Sequence, residues 1–198
     1  MKNSLTLVCI AFLVGTCFSQ NVNDSEEIQA LYEYSEADIT STADIPEFKT
    51  KEQQLKITGI IFEQDGVTPA KDVILYIYQP DENGRYDMQT ENDKRFVHHR
   101  AWIKTDANGA YTFNTFMPGT VHRSHEFKHI HAVVKAPNQE AYQMNAMLFD
   151  NDPLLTKSCR KKLAKKGMAD SILKVEDKEG IFISTKNIVL QKSNQDSK

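Results

Sequence analysis

The apolar positions of the chain fall into short runs separated by turn residues, and most of these runs read as strands. Residues 55–62 (LKITGIIF) roughly alternate, are rich in β-branched side chains, and end at the turn Asp65-Gly66. Residues 72–79 (DVILYIYQ) end at Pro80 and the turn Glu82-Asn83-Gly84. Residues 101–105, 111–117, 130–135, 142–149 and 183–191 complete the set, with Asn108-Gly109, Pro118-Gly119, Pro137-Asn138 and Asp152-Pro153 between them. Short strands at this spacing, joined by Gly, Asn and Pro, predict an all-β fold, an antiparallel β-sandwich. One stretch breaks the period of two. Residues 154–166 place Leu154, Leu155, Cys159 and Leu163 at three-to-four spacing, which predicts one short surface helix lying on the sandwich by its leucine stripe. The basic residues between Lys157 and Lys166 read as its solvated face.

The first 19 residues have another character. Lys2, the apolar run from Leu5 to Val14, and then Gly15, Thr16, Cys17 and Ser19 describe a secretory signal peptide, with cleavage near Ser19/Gln20. A secreted or periplasmic location follows. A lipoprotein anchor at Cys17 is the other reading, and Thr16 is a poor residue before a lipidated cysteine. Residues 20–53 set nine carboxylates against Lys49 and Lys51. They read as an acidic N-terminal arm, mobile or edge-covering, in which 27–34 suits a short helix. The sandwich domain is placed at 54–192 and a polar tail at 193–198.

Composition narrows the function. Once the signal leaves, Cys159 is the remaining cysteine, so the chain has no intramolecular disulfide and no thiolate metal site. A formal net charge of -3 is too mild to argue for nucleic acid or for attraction to a membrane surface. No second apolar run is long enough to span a bilayer. A homo-oligomer stays open.

The candidate chemistry centres on His129-Ile130-His131. Residues two apart on a strand share a face, so both imidazoles converge, a common way to offer two nitrogen ligands to iron, zinc or copper. Tyr86 follows the tight turn Asn83-Gly84-Arg85 as a loop tyrosine. His122 and His125 add to the density of histidines nearby. Tyr76 and Tyr78 share a strand face and read as core or interface aromatics, and Trp102 as a core anchor. His98 and His99 read as surface histidines by default.

Taken in order, TPAKDVILYIYQ, NGRY, RAWIKTDANGAYTFNT, a Pro-Gly turn, HIH and FDNDPLL resemble the catalytic domain of the intradiol ring-cleavage dioxygenases, the protocatechuate and catechol type. The resemblance covers about 55–190. It implies a β-sandwich enzyme that binds Fe(3+) through two tyrosines and two histidines. Its substrates would be a small aromatic diol and dioxygen, with cleavage between the two hydroxyl-bearing carbons. Carried over, Tyr86, His129 and His131 match metal ligands and hence catalytic positions. Val121 stands where the second tyrosine is expected, and it can neither ligate nor act as a base. His122, next along the chain, is a candidate replacement ligand or base if its loop shifts; a three-ligand site completed by water is the alternative. The resemblance also places His98, His99, Arg100 and Arg123 in or beside the substrate pocket. A competing resemblance is to the transthyretin-type, carboxypeptidase-regulatory-like sandwich, a secreted binding module without catalysis. It accounts for the first half of the chain but not for NGRY, HIH or FDNDPLL.

Overall fold

The computed structural model describes residues 28–35 and 39–191. The expected signal peptide, the anchor reading at Cys17 and the polar tail lie outside the described residues. Two six-stranded sheets pack face to face. The first runs β1 (Thr42–Asp44), β7 (Ala110–Phe116), β2 (Gln54–Phe62), β13 (Ile181–Thr185), β12 (Glu176–Lys178), with β14 (Ile188–Val189) also on β2. The second runs β11 (Ile172–Leu173), β10 (Met147–Phe149), β8 (His129–Lys135), β3 (Ile74–Tyr78), β6 (Arg100–Lys104), with β9 (Tyr142–Gln143) also on β8. The central pairs β2–β7, β3–β6 and β3–β8 are antiparallel. Parallel strands are added to them: β1 on β7, β13 and β14 on β2, and β11 on β10. The all-β sandwich read from the sequence is the architecture observed.

The core lies between the sheets. Leu55, Ile57 and Ile61 of β2 and Tyr111 and Phe113 of β7 meet Leu75, Ile77, Ile103, Ile130 and Val134 from the second sheet. The second sheet is also covered on its outer side. There Tyr76, Tyr78 and Val133 pack with Leu31 and Ile39 of the N-terminal segment and with Val97. All five residues of β3 are buried for this reason. A strand covered on both faces reads as a continuous apolar run rather than an alternating one. Trp102 belongs to this outer cluster, and its Nε1–H donates to the carbonyls of Ala30 and Leu31 at 3.3 and 3.1 Å.

Three local expectations are corrected. The stretch before His98, left out of the predicted strands, is a hairpin of β4 (Met88–Glu91) and β5 (Lys94–Val97). Its turn residues Asn92 and Asp93 both have positive φ, as a two-residue hairpin turn requires. The helix spans Lys157–Lys165, because Thr156 caps its N-terminus by accepting from the Cys159 N–H at 3.3 Å. Leu154 and Leu155 therefore precede it. Residues 142–149 form two strands rather than one. Among the described residues no helix is long and apolar enough to cross a membrane.

Candidate metal centre

β8 places His129 and His131 on the outer face of the second sheet, and β3 sets Tyr78 directly opposite His131. The Tyr78 and His131 rings stack at 4.8 Å with planes 16° apart. The two imidazoles meet edge-on, 4.7 Å apart. Tyr86 reaches this pair from the turn after β3, with its hydroxyl 2.9 Å from His129 Nε2 and its ring centre 6.4 Å from that of His131. The three residues that the resemblance offered as ligands are thus brought together.

The tautomer of His129 follows from its other nitrogen. Nδ1 lies 2.7 Å from the carbonyl oxygen of Phe127. A carbonyl can only accept, so Nδ1 carries the proton and Nε2 presents its lone pair to Tyr86. A backbone carbonyl that orients a ligating histidine in this way is the usual support of a metal site. The 2.9 Å between phenol oxygen and Nε2 also suits two donors sharing one first-row ion with bonds of about 2.1 Å.

His131 is only 6% exposed. Burial first, and then the neighbouring His129, push its pKa down to about 3, so the ring is neutral at ordinary pH. Gln143, on β9, supports it. Its amide Nε2 is 3.5 Å from His131 Nδ1 and 3.3 Å from the Tyr78 hydroxyl, while its Oε1 is buried without a partner. Turning the amide by 180° lets Oε1 accept from His131 Nδ1–H and from Tyr78. In that arrangement His131 Nε2 carries the lone pair. The donor set, two imidazoles and a phenol, fits iron.

The loop holding Val121 packs against the turn that carries Tyr86. Gly119 N–H donates to Asp81 O at 2.9 Å. A side chain at Gly84 would overlap the backbone of Thr120 and Val121, and one at Gly119 would overlap Glu82. Glycine is required at both by this close approach. Val121 is therefore beside the Tyr86 turn, but its own side chain is 40% exposed. His122 and Arg123 are exposed, Arg123 with left-handed φ. Arg100 pairs with Glu33 at 3.1 Å and lies over the rings of Phe96 and Trp102. Beside it a cleft of about 630 Å³ opens among Tyr32, Glu33, Tyr76, Lys94 and Phe96; Tyr86, His129 and His131 do not line it.

His98 and His99 turn elsewhere. His99, read as a surface residue, is buried because it lies on the core side of the sheet with its ring edge-on to Phe116 at 4.9 Å. Both histidines approach Glu47, a residue assigned to the acidic arm. This cluster and Gln143 were missed from sequence. The pair His98-His99 was a visible signal, but nothing in the spacing pointed to Glu47.

Comparison with known proteins agrees with this architecture. A family model described as Dioxygenase matches residues 32–192. The dioxygenase domain of a dioxygenase–carbohydrate-binding protein fusion from Streptomyces sp. SirexAA-E superimposes with a TM-score of 0.62 at 22% identity, over 81% of this chain and 94% of that one. An intradiol ring-cleavage dioxygenase from Tetranychus urticae gives 0.57 at 21% identity, over 81% and 92%. Catechol 1,2-dioxygenase from Acinetobacter sp. ADP1 gives 0.55 at 16% identity, over 77% of this chain and 57% of that one. The chain belongs to the intradiol ring-cleavage dioxygenase family, whose members depend on iron.

Proposed function

We propose that the protein is a ferric-iron intradiol dioxygenase acting on a catechol-type aromatic with dioxygen, and that Tyr86, His129 and His131 hold the iron. The observation that carries this reading is the contact of the Tyr86 hydroxyl with the His129 Nε2 lone pair, beside a neutral, buried His131. Ferric iron, when bound, supplies the Lewis acidity that draws in a catecholate and withdraws electron density from its ring.

The protein side contributes orientation and charge. Tyr86 would hold the ion through a hard anionic phenolate oxygen, which would favour the ferric state. Phe127 O fixes the His129 tautomer, and the Tyr78 ring shields one face of His131. Val121 brings no ionisable group to its loop, so turnover is slower than with a tyrosine there. His122 is the next residue that could accept a proton from the diol. The same valine supports a second reading, in which the centre binds a diol without cleaving it. We place the protein outside the cytoplasm on the strength of Lys2 and the apolar run from Leu5 to Val14.

The test is a visible spectrum and metal analysis of protein purified aerobically and supplied with iron. A tyrosinate-to-ferric charge-transfer band at one iron per chain, shifting on addition of catechol, is expected. Bound iron unchanged in both Tyr86→Phe and His131→Ala would overturn the assignment. A band that shifts with catechol but gives no ring-cleaved product would select the second reading.

A further inference from the structure

We propose that Glu47, His98 and His99 form a second cation site, separate from the Tyr86–His129–His131 group and suited to a divalent ion of the zinc class. One donor atom from each residue lies within 4.8 Å of the other two. His99 Nε2 is 3.6 Å from Glu47 Oε2, and His98 Nε2 is 3.7 Å from Glu47 Oε1. Both are too long for hydrogen bonds. Each is near the edge, roughly 3.4 Å, of a tetrahedron whose metal–ligand bonds are about 2.1 Å; the two run to different carboxylate oxygens, so the groups draw in further around one ion.

The second observation is His99 itself. It is 3% exposed, and neither ring nitrogen has a hydrogen-bond partner. Buried polar atoms are rarely left so, because each orphan forfeits its hydration. Phe116 packs edge-on against the ring and opposes its swinging away. An ion on Nε2 would satisfy that nitrogen. Glu47 and His98 are 52% and 23% exposed, which gives an ion a path in and a water the fourth position. Two imidazoles and one carboxylate suit zinc, whereas calcium and magnesium take oxygen ligands.

His99 and His131 point to different sides of the second sheet. Arg100 lies opposite Tyr78, which lies opposite His131, so all three share the outer face. His99 precedes Arg100 and faces the core side, where Gln79 also lies, bonded to Phe116 O at 3.0 Å. Lys51 marks the charge balance of the site. Its ammonium is 3.2 Å from Glu47 Oε2 and 3.1 Å from Glu82 Oε2. An ion on Glu47 leaves Lys51 its contact with Glu82, but Lys51 weakens that ion by repulsion. The ion would tie the N-terminal segment to the β5–β6 connection.

The experiment titrates Co²⁺, a spectroscopic stand-in for Zn²⁺, into the Tyr86→Phe/His129→Ala protein and, separately, into iron-loaded wild type, followed by Zn²⁺ competition. Each should bind one equivalent with the intense d–d absorption of four-coordinate cobalt. Adding Glu47→Gln, an exposed change, should weaken binding at least about tenfold. Adding Lys51→Met should strengthen it about tenfold, from the loss of a nearby like charge. No cobalt bound in either protein, or binding indifferent to both Glu47→Gln and Lys51→Met, would overturn the proposal. Because the double variant lacks two of the three iron ligands, failure of the iron assignment leaves this readout intact.

Discussion

Replacing His131 with phenylalanine should make the metal-free protein less sensitive to acid. Burial keeps the His131 ring neutral down to about pH 3, with the adjacent His129 adding to the effect. In the unfolded chain the same ring takes its proton near pH 6.5. The folded pKa is therefore below the unfolded one, and between the two values the unfolded state holds the extra proton. Stability is lost as pH falls through 6.5 towards 3. For one group with these two values the loss between pH 7.5 and 5.0 is about 2 kcal/mol. Phenylalanine preserves a ring against Tyr78 and has no proton to gain. Urea denaturation at pH 7.5, 6.5, 5.5 and 5.0, on protein stripped of metal, measures the difference. His99 is also held below its ordinary pKa, by burial first, and contributes with the same sign in both proteins. It therefore cancels in the comparison. The window also lies above most carboxylate titration. The variant should lose about 2 kcal/mol less than wild type across it. Two stability curves that fall in parallel would refute the placement of a neutral, buried imidazole at this position.

Three further outcomes test the supports of the centre. Gln143→Leu removes the amide that faces His131 Nδ1, and iron affinity measured by chelator competition should fall roughly 10- to 100-fold with the urea midpoint little moved; unchanged affinity would remove Gln143 from any positioning role. Leu31→Ala hollows the outer cluster, where Leu31 is fully buried beside Tyr76 and Val97. It should cost roughly 2–5 kcal/mol in urea denaturation, and an unchanged midpoint would mean that the N-terminal segment is not part of the cooperative fold. Val121→Tyr should raise the rate of catechol consumption in an oxygen-electrode assay, and no gain would place the defect in turnover elsewhere.

What could be read in advance depended on how local the signal was. Residues 55–62 and 111–117 announced β2 and β7 because each has one face on the core and one towards solvent or an edge. The β4–β5 hairpin was overlooked because MQTE and KRFV are largely polar; its signal was the left-handed pair Asn92-Asp93 rather than any apolar period. The parallel additions of β1, β13 and β14 were invisible, since pairings between distant segments leave no mark in spacing. The same contrast holds for the sites. His129 and His131 are two apart, so strand parity alone puts them together, and Tyr86 follows a turn beside the next strand. Glu47 reaches His98 and His99 only because β1 pairs with β7 and carries the following segment to that end of the sandwich.

That dependence gives the N-terminal segment a larger part than an edge cover. At one end Leu31 seals the aromatic layer of Tyr76 and Tyr78, and the carbonyls of Ala30 and Leu31 hold Trp102 in it. Tyr78 in turn stacks on His131. At the other end Glu47 meets His98 and His99, with Lys51 bridging to Glu82 in the turn that leads to Tyr86. Lys51 also lies 4.9 Å above the Phe116 ring, the ring on which His99 rests. The segment therefore touches both faces of the second sheet and the loop that supplies the phenol. His99 faces the core side and His131 the outer face of the second sheet, and this one stretch of chain touches both. A change in how it is held, by an ion at Glu47 or by loss of Leu31, reaches His131 through packed rings and Tyr86 through the Glu82 turn, so both perturbations should be visible in the same iron charge-transfer band.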